Sequence, residues 1–274
     1  MKTWFITGAS RGFGALVTER ALANGDAVVA TARNPKAITD RLGEHPNLLA
    51  VALDVTDEAQ AHSAAKAAIA RFGRIDVLLN NAGFGLMGAV EEASATEIEA
   101  VYRTNVFGLL TVTRAVLPHM RAARAGRVLN ISSIGGYRGA AGFGVYSSTK
   151  FAVGGLSEAL HAELEPLGIH VTVVEPGYFR TDFLDSSSLS VSANRIDDYD
   201  ATAGKVRAVA AGLSHNQPGD PAKLAAVLID FVDAPNPPVR LPLGSDTVAA
   251  MEAKHASDAD IIANWRNVSI STDF

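Results

Sequence analysis

The chain contains no cysteine among its 274 residues. Disulfide bonds, thiolate nucleophiles, iron–sulfur clusters and cysteine-ligated zinc are therefore all excluded. No apolar run reaches the roughly 20 residues that a membrane-spanning helix needs, and the apolar stretch after Met1 and Lys2 is too short for a signal peptide. Because these absences fit a reducing compartment, we expect a cytoplasmic protein that does not bind a membrane.

An excess of charge of one sign is also missing. The sequence carries 24 Lys and Arg against 29 Asp and Glu, a formal net charge of −5. A broad basic surface for nucleic acid or an anionic membrane is therefore not expected. The histidines show no spacing typical of metal ligands, so we expect no bound metal. They are His45, His62, His119, His161, His170, His215 and His255.

Short apolar or β-branched runs alternate with segments of helical apolar spacing, which predicts alternating strands and helices. Since the predicted strands are apolar on both faces, we predict a single-domain α/β fold. It is a Rossmann-like, doubly wound parallel sheet of about seven strands with helices on both faces, and ligands bind at the carboxyl ends of the strands. The predicted strands are residues 4–6, 27–30, 48–53, 77–79, 128–131, 171–174 and 239–241, and the predicted helices are residues 16–22, 59–72, 98–120, 153–164 and 224–231.

Two segments depart from this alternation. Residues 183–217 are Ser-rich, carry an acidic run, and have the length of a substrate lid, with a solvated surface loop as the alternative. Residues 245–274 are expected to form a C-terminal extension of one or two amphipathic helices, to which the sequence assigns no role.

A glycine-rich turn, Thr7-Gly8-Ala9-Ser10-Arg11-Gly12-Phe13-Gly14, follows the first predicted strand and precedes a helix. Glycines let the backbone turn sharply and approach a pyrophosphate, whose charge is met by free N–H groups at the helix start. An ordinary strand-to-helix connection is the alternative. The predicted cofactor contacts in this turn are Gly8, Ser10, Arg11, Gly12, Phe13 and Gly14.

The end of the second predicted strand indicates which dinucleotide binds. Proteins that prefer NAD usually carry an acidic residue there, whereas Arg33 occupies this position and could bind the 2′-phosphate of NADP. Arg11 could converge on the same phosphate. We predict NADP(H), with NAD(H) as the alternative cofactor and two solvated surface arginines as the alternative interpretation.

Tyr146 and Lys150 lie four positions apart, and therefore on one face of a helix. Bringing a tyrosine pKa from about 10 to near neutrality requires about 4 kcal/mol. One ammonium at roughly 4 to 5 Å, at an effective dielectric constant near 20, supplies about 3 to 4 kcal/mol. Such a tyrosine can give a proton to a carbonyl oxygen or take one from an alcohol. Alone, this pair is common in structural roles.

In combination with other motifs, the pair resembles the short-chain dehydrogenase/reductase family in its compact single-domain branch. The resemblance covers roughly residues 3 to 245, and its specificity comes from the order and spacing of six motifs. They are Thr7-Gly8-x-x-x-Gly12-x-Gly14, Asn80-Asn81-Ala82-Gly83, Asn105, Ser133, Tyr146 with Lys150, and Pro176-Gly177-x-x-x-Thr181.

The resemblance implies an NADP(H)-dependent oxidoreductase that acts on carbonyl and alcohol groups. Tyr146 would be the general acid/base, Lys150 would lower its pKa and hold the nicotinamide ribose, and Ser133 would hydrogen-bond the substrate oxygen. Asn105 would hold a water that completes a proton relay. Ser132 competes with Ser133, and only spacing favours Ser133.

The resemblance also implies further cofactor contacts. Asp54 and Val55 would contact the adenine ring, residues 81–83 (Asn81, Ala82 and Gly83) would line the cofactor cleft, and four residues of segment 176–181 would contact the carboxamide. These four are Pro176, Gly177, Phe179 and Thr181. Without the family, Asp54 could simply cap the helix after Thr56, and Pro176-Gly177 could be a plain turn.

The substrate is expected between Tyr146 and residues 183–217. Its expected neighbours favour an apolar small molecule; they are Phe84, Leu86, Tyr137, Phe143 and Phe179. Helices over residues 101–120 and 146–167 resemble those that pair across a two-fold axis in the family, which implies a homodimer. The family's frequent Asp-Gly-Gly ending is replaced by Leu243-Gly244-Ser245-Asp246, which puts a tetramer in doubt.

Two other functions fit parts of the pattern. A redox-sensing NADP-binding regulator without turnover is the main alternative, and the intact Ser133, Tyr146 and Lys150 argue against it. An epimerase or dehydratase using the same Tyr/Lys pair is disfavoured by the glycine spacing and by the lack of a larger C-terminal substrate domain.

Overall fold

The computed structural model of the chain describes residues 1–214 and 216–274. His215, one of the histidines considered above and part of the predicted lid, lies outside the described residues. The described strands are β1 (Thr3–Thr7), β2 (Ala27–Ala32), β3 (Leu48–Ala52), β4 (Val77–Asn80), β5 (Gly85–Met87), β6 (Gly126–Ile131), β7 (Ile169–Pro176), β8 (Leu189–Val191) and β9 (Arg240–Leu243). The described helices are α1 (Gly12–Ala23), α2 (Lys36–Leu42), α3 (Glu58–Phe72), α4 (Ala95–Tyr102), α5 (Leu109–Ala123), α6 (Gly144–Leu164), α7 (Lys205–Leu213), α8 (Pro221–Phe231) and α9 (Ser245–Ile270).

Seven of these strands form one parallel sheet in the order β3-β2-β1-β4-β6-β7-β9. The chain starts at β1, winds outward to β3, and returns to β4 on the other side of β1. This reversal of winding direction opens a crevice at the carboxyl ends of β1 and β4, where doubly wound folds bind ligands. The predicted seven-stranded Rossmann-like sheet is confirmed.

Helices cover both faces of the sheet. Alternate residues of β1 show why, because Trp4 and Ile6 face one helical layer and Phe5 faces the other. The first layer contains α1 and α8, and the second contains α3 and α5. The predicted helices on both faces are therefore confirmed.

Two features of the strand and helix pattern differ from the prediction. β5 and β8 form a separate two-stranded parallel sheet, which the sequence pattern does not reveal because each strand has only three residues. The helix predicted over residues 98–120 is interrupted by a π-helical turn, Arg103–Gly108, between α4 and α5. Asn105 lies within this turn.

Part of the segment predicted as a lid forms regular secondary structure. We call residues 183–214 the lid; it contains β8 and α7 and begins within a short 3₁₀ turn, Asp182–Leu184. The C-terminal extension is a single helix, α9, of 26 residues. Its first half packs on the protein through the buried Thr247, Ala250 and Met251 and through His255. In the described chain, every helix is too short or too polar to cross a membrane.

Candidate active site

The glycine-rich turn connects β1 to α1. Gly8 and Gly12 have φ values of +66° and +55°, which favour glycine over residues with a side chain. A Cβ on Gly14 would collide with the carbonyl oxygen of Gly8. The Asn81 amide nitrogen donates to the carbonyl oxygens of Thr7 and Gly8 at 2.9 and 3.1 Å. Asn81 therefore fixes the shape of the turn from the neighbouring strand.

The N-terminus of α1 is open to an anion. Among the residues that the structure describes, no side chain caps it, and its first turn carries no acidic residue. Its free N–H groups and the positive end of the helix dipole therefore remain available. This is the arrangement that a pyrophosphate requires.

A cleft of about 890 Å³ extends from this turn along the carboxyl ends of the central strands. Every predicted site residue lines this cleft except Gly14 and Asn105. Gly14 lies within α1 and packs against the glycine-rich turn. The predicted residues that line the cleft are Gly8, Ser10, Arg11, Gly12, Phe13, Arg33, Asp54, Val55, Asn81, Ala82, Gly83, Ser133, Tyr146, Lys150, Pro176, Gly177, Phe179 and Thr181.

The two predicted phosphate-binding arginines lie in different surroundings. Arg33 follows β2, is exposed at the cleft, and forms neither a hydrogen bond nor an ion pair with any described residue. Arg11 also lines the cleft, but its guanidinium donates to the carbonyl oxygen of Ser187 in the lid. The expected convergence of both arginines on one phosphate is therefore not seen in this structure.

Asp54 lines the cleft beside Val55. Its carboxylate accepts hydrogen bonds from the backbone N–H and the hydroxyl of Thr56 at 2.9 and 2.7 Å. The cap of α3 is made by Asp57, which accepts from the backbone N–H of Gln60 at 3.0 Å. Asp54 thus shapes the turn before α3, and the alternative role as the helix cap belongs to Asp57.

Ser133, Tyr146 and Lys150 meet at the centre of the cleft. Tyr146 and Lys150 are both buried, and the Lys150 ammonium lies 5.8 Å from the centroid of the Tyr146 ring. Lys150 Nζ donates to the carbonyl oxygen of Ile131 at 2.8 Å, and burial lowers the pKa of Lys150 to about 8. The Ser133 hydroxyl faces the Tyr146 phenol and acts to lower the pKa of that phenol.

The pKa of the Tyr146 phenol is raised, which is the opposite of the direction expected from its pairing with Lys150. Burial is the main cause, and the Ser133 hydroxyl acts against it. The Tyr146 ring packs between Phe143 and Phe183, with ring centroids 6.1 and 5.5 Å away. Since these rings exclude water, loss of solvation outweighs the favourable interactions of the phenolate.

The structure distinguishes the two neighbouring serines. The Ser132 hydroxyl donates to the carbonyl oxygen of Lys150 at 3.0 Å, and a Cβ on Gly136 would collide with it. Ser133 Oγ accepts from the backbone N–H of Gly135 at 3.1 Å and faces Tyr146. Ser132 therefore anchors α6, whereas Ser133 is placed beside the phenol.

Asn105 is buried and uses its side chain to hold neighbouring backbone. Its amide oxygen accepts from the Phe84 N–H at 3.0 Å, and its amide nitrogen donates to the Phe84 carbonyl at 2.9 Å and to Thr149 Oγ1 at 3.2 Å. A Cβ on Gly83 would lie 3.0 Å from the Asn105 amide oxygen. The side chain therefore supports the cleft wall from behind.

The segment after β7 is shaped by the C-terminal part of the chain. Asp246 accepts from the backbone N–H of Tyr178 at 2.7 Å, and a Cβ on Gly177 would collide with the Asp246 carboxylate. The Phe179 ring packs edge-on against Phe13, with ring centroids 5.5 Å apart. Asp246, where the chain departs from the family's usual ending, thus fixes the turn that Pro176-Gly177 begins.

The substrate end of the cleft is apolar, but two of its predicted residues are elsewhere. Leu86 is buried with Val101 and Val145, and Tyr137 packs against His255 of α9. Neither lines the cleft. The predicted Phe84, Phe143 and Phe179 do line it, together with Phe183, Leu184 and Leu189 of the lid.

Two of the lining residues that the sequence analysis did not single out carry polar atoms that are unpaired in the described chain. Ser147 and Gln217 each present a buried oxygen with no hydrogen-bond partner in the described residues. A bound ligand with donor groups could satisfy such oxygens. Ser147 follows Tyr146 directly, which is the one sequence signal that could have indicated it.

Comparison with known proteins identifies the family. The family model described as short chain dehydrogenase matches residues 2–191. The chain belongs to the short-chain dehydrogenase family. In sequence the chain is similar to Oxidoreductase BOA17 of Botryotinia fuckeliana, 39% identical over 99% of both chains. It is also similar to the 3-ketodihydrosphingosine reductase of Bacteroides thetaiotaomicron, 39% identical over 87% of this chain and 86% of that protein.

Solved structures show the same family. A short-chain dehydrogenase from Streptomyces avermitilis is 41% identical, covers 100% of both chains, and superposes with a TM-score of 0.92. The closed form of a serine dehydrogenase complexed with NADP⁺ is 29% identical, with a TM-score of 0.74 over 88% of this chain and 94% of that one. A Burkholderia phymatum enzyme in complex with NAD, 24% identical with a TM-score of 0.82 over 95% of this chain and 94% of that one, shares the fold.

Proposed function

We propose that this protein is an NADP(H)-dependent oxidoreductase that transfers a hydride between the nicotinamide and a carbonyl or alcohol substrate. The observation that carries the proposal is that Ser133, Tyr146 and Lys150 meet in the same cleft that begins at the uncapped N-terminus of α1. A relative whose name describes a ketone reductase and a similar structure that holds NADP⁺ support the same chemistry.

The residues of the cleft fit such a cofactor. The N-terminus of α1 would hold the pyrophosphate, Arg33 the 2′-phosphate, and Asp54 and Val55 the adenine end. Segment 176–181 would hold the carboxamide, and Lys150 the nicotinamide ribose. When bound, the nicotinamide supplies or accepts the hydride.

In this proposal, the hydroxyls of Ser133 and Tyr146 both hydrogen-bond the substrate oxygen. The raised pKa of Tyr146 keeps its phenol protonated at neutral pH, so that Tyr146 Oη can donate its proton to a carbonyl oxygen that becomes an alkoxide. Lys150, with a pKa of about 8, still carries a charge at neutral pH and stabilises the phenolate that remains. This arrangement favours carbonyl reduction.

The lining of the substrate end favours an apolar small molecule. Phe143 and Phe183 flank the Tyr146 ring, and Leu184 and Leu189 extend the same wall. We propose a cytoplasmic homodimer that acts on such compounds, with no nucleic-acid or membrane partner and with NAD(H) as the alternative cofactor.

The test is a panel of apolar and polar ketones, aldehydes and alcohols, with NADPH or NADP⁺ consumption followed by absorbance. We expect turnover of apolar carbonyl compounds with NADPH. The alternative function, a catalytically silent NADP-binding sensor, predicts tight NADPH binding without turnover of any compound in the panel. That result would contradict the proposal.

A further inference from the structure

Glu92 is a charged side chain in an unusual place. It ends the 3₁₀ turn Val90–Glu92 that follows β5, and only 1% of its surface is exposed. Burying a carboxylate is costly unless hydrogen bonds and an opposite charge compensate for the lost water. Its partners therefore indicate what it holds together.

The Glu92 carboxylate joins three separate parts of the chain. Its Oε2 accepts from the backbone N–H of Ala89 at 2.7 Å, and its Oε1 accepts from the backbone N–H of Ile196 at 3.1 Å. The guanidinium of Arg207 donates to both oxygens, at 2.7 and 3.3 Å, and the Arg207 side chain is only 10% exposed. Since Ile196 and Arg207 belong to the lid, two of the three partners tie the lid to the body of the protein.

The part of the lid next to this contact forms the wall beside Tyr146. β8 pairs with β5, with Leu189 opposite Gly85. A Cβ on Gly85 would lie 2.7 Å from Leu189 and 2.9 Å from Phe183, whose ring lies 5.5 Å from that of Tyr146. A small displacement of the lid therefore changes the space available to a substrate at the phenol.

We propose that Glu92 is a positioning residue. Its contacts with Ile196 and Arg207, which we call the clasp, hold the lid in place and thereby fix the shape of the binding site for the apolar part of the substrate. The inference rests on the proposed function of the cleft. Glu92 is absent from the cleft lining and acts through Ile196 and Arg207. The Arg207 hydrogen bond lowers the pKa of Glu92 to about 2, so the clasp is ionised at all ordinary pH values.

The test uses Glu92→Gln with Glu91→Gln as the matched control. Glu91 also contacts the lid, by accepting from the Tyr199 hydroxyl at 2.6 Å, but this contact is exposed. In Glu92→Gln we expect amide hydrogen exchange over residues 193–208 to become about 10-fold faster. We also expect KM for an apolar ketone to rise about 10-fold, while kcat and the Kd for NADPH stay within about two-fold. Glu91→Gln should match the wild type in each measurement.

Arg207→Gln provides a second, independent variant. It should reproduce the faster lid exchange, and the double variant Glu92→Gln/Arg207→Gln should be no worse than either single variant, because both changes break the same contact. Unchanged lid exchange and KM in both single variants would overturn the proposal. So would exchange that rises equally in β1 and β4 with loss of NADPH binding, since that result indicates general destabilisation.

The two proposals can fail separately. If the wild type binds NADPH but turns over no compound, the proposed function fails, and hydrogen exchange in the lid still tests the clasp. If the wild type is active and the lid of Glu92→Gln exchanges normally, only the clasp fails.

Discussion

Burial moves the pKa values of Tyr146 and Lys150 in opposite directions. It raises that of the phenol and lowers that of the ammonium to about 8, because each group is less stable in its charged form away from water. Spacing along a helix indicates that two groups are neighbours but gives no measure of how much water surrounds them. The sequence therefore predicts that the two side chains are neighbours, as the structure shows, but it predicts the wrong direction for the shift of the tyrosine pKa.

Arg33 provides the first prediction at the scale of the residue. Because its side chain is exposed at the cleft and pairs with no other described residue, we expect Arg33→Ala to weaken NADPH binding by about 10- to 100-fold and to leave NADH binding unchanged. Titrations of both cofactors by fluorescence check this. Lys36→Ala, which removes an exposed ion pair with Asp40, is the control. Equal affinity for the two cofactors in the wild type and in Arg33→Ala would refute the NADP preference.

The neighbouring serines provide the second prediction. Ser133→Ala removes a hydroxyl that faces the phenol, so we expect kcat/KM to fall by about 100-fold. Ser132→Ala removes the hydrogen bond to the Lys150 carbonyl, so we expect a lower melting temperature. Steady-state kinetics and thermal denaturation of both variants decide the assignment. It fails if Ser132→Ala loses the greater share of activity while remaining as stable as the wild type.

At the scale of the element, β7 and β9 are joined by a buried ion pair. Arg240 contacts Glu175, whose side chain is fully buried, and also the more exposed Glu158. Burial raises the pKa of Glu175 to about 7 despite Arg240. The folded state therefore binds the proton of the Glu175 carboxyl more tightly than the unfolded state does. Protonation of Glu175 thus contributes to the free energy of unfolding. This contribution is fully present below pH 4.5 and is lost as the pH rises through 7.

We therefore predict that the free energy of unfolding of Glu175→Gln depends less on pH than that of the wild type. Between pH 5 and pH 8, the wild type should lose on the order of 2 to 3 kcal/mol of unfolding free energy relative to this variant. Urea denaturation at several pH values measures the difference. Glu158→Gln, which changes the exposed partner of the same arginine, should keep most of the wild-type slope, because Glu158 is the smallest of the causes that act on the Glu175 pKa. A Glu175→Gln slope equal to that of the wild type would contradict the raised pKa.

The elements also show which parts of the fold the sequence could predict. Each strand of the main sheet contains a short run of mainly apolar or β-branched residues, such as residues 77–79 of β4, and this hydrophobic pattern is enough to predict the strand. β5 and β8 have only three residues each, and they pair through contacts between distant parts of the chain. The prediction placed Leu86 and Tyr137 at the cleft for a similar reason, because the sequence of a short segment does not indicate whether a side chain faces the cleft or another part of the protein.

At the scale of the whole molecule, the helices expected to form a dimer carry exposed aromatic residues. Phe107 is 55% and Phe151 is 46% exposed. We predict that Phe151→Glu converts a dimer into a monomer in static light scattering, because a buried charge would oppose the pairing of α6 with its copy. A clean tetramer for the wild type, or a mass that Phe151→Glu leaves unchanged, would contradict this interface.

The distal part of α9 is a second exposed apolar surface. It consists of Ile261, Ile262, Trp265 and Val268. The light-scattering measurement should therefore include a truncation that removes residues 259–274. If the dimer forms through the predicted helices, the truncated protein should still have the mass of two chains.

The central claim is that Tyr146 transfers the proton while the cofactor binds independently of its hydroxyl. The most direct measurement compares Tyr146→Phe with Tyr102→Phe, whose hydroxyl bonds to Ser148 at 2.8 Å outside the cleft. For Tyr146→Phe we expect the Kd for NADPH to stay within about two-fold and kcat to fall by about 10²- to 10⁴-fold, with Tyr102→Phe near the wild type in both. A Tyr146→Phe enzyme that keeps most of its turnover would contradict the account.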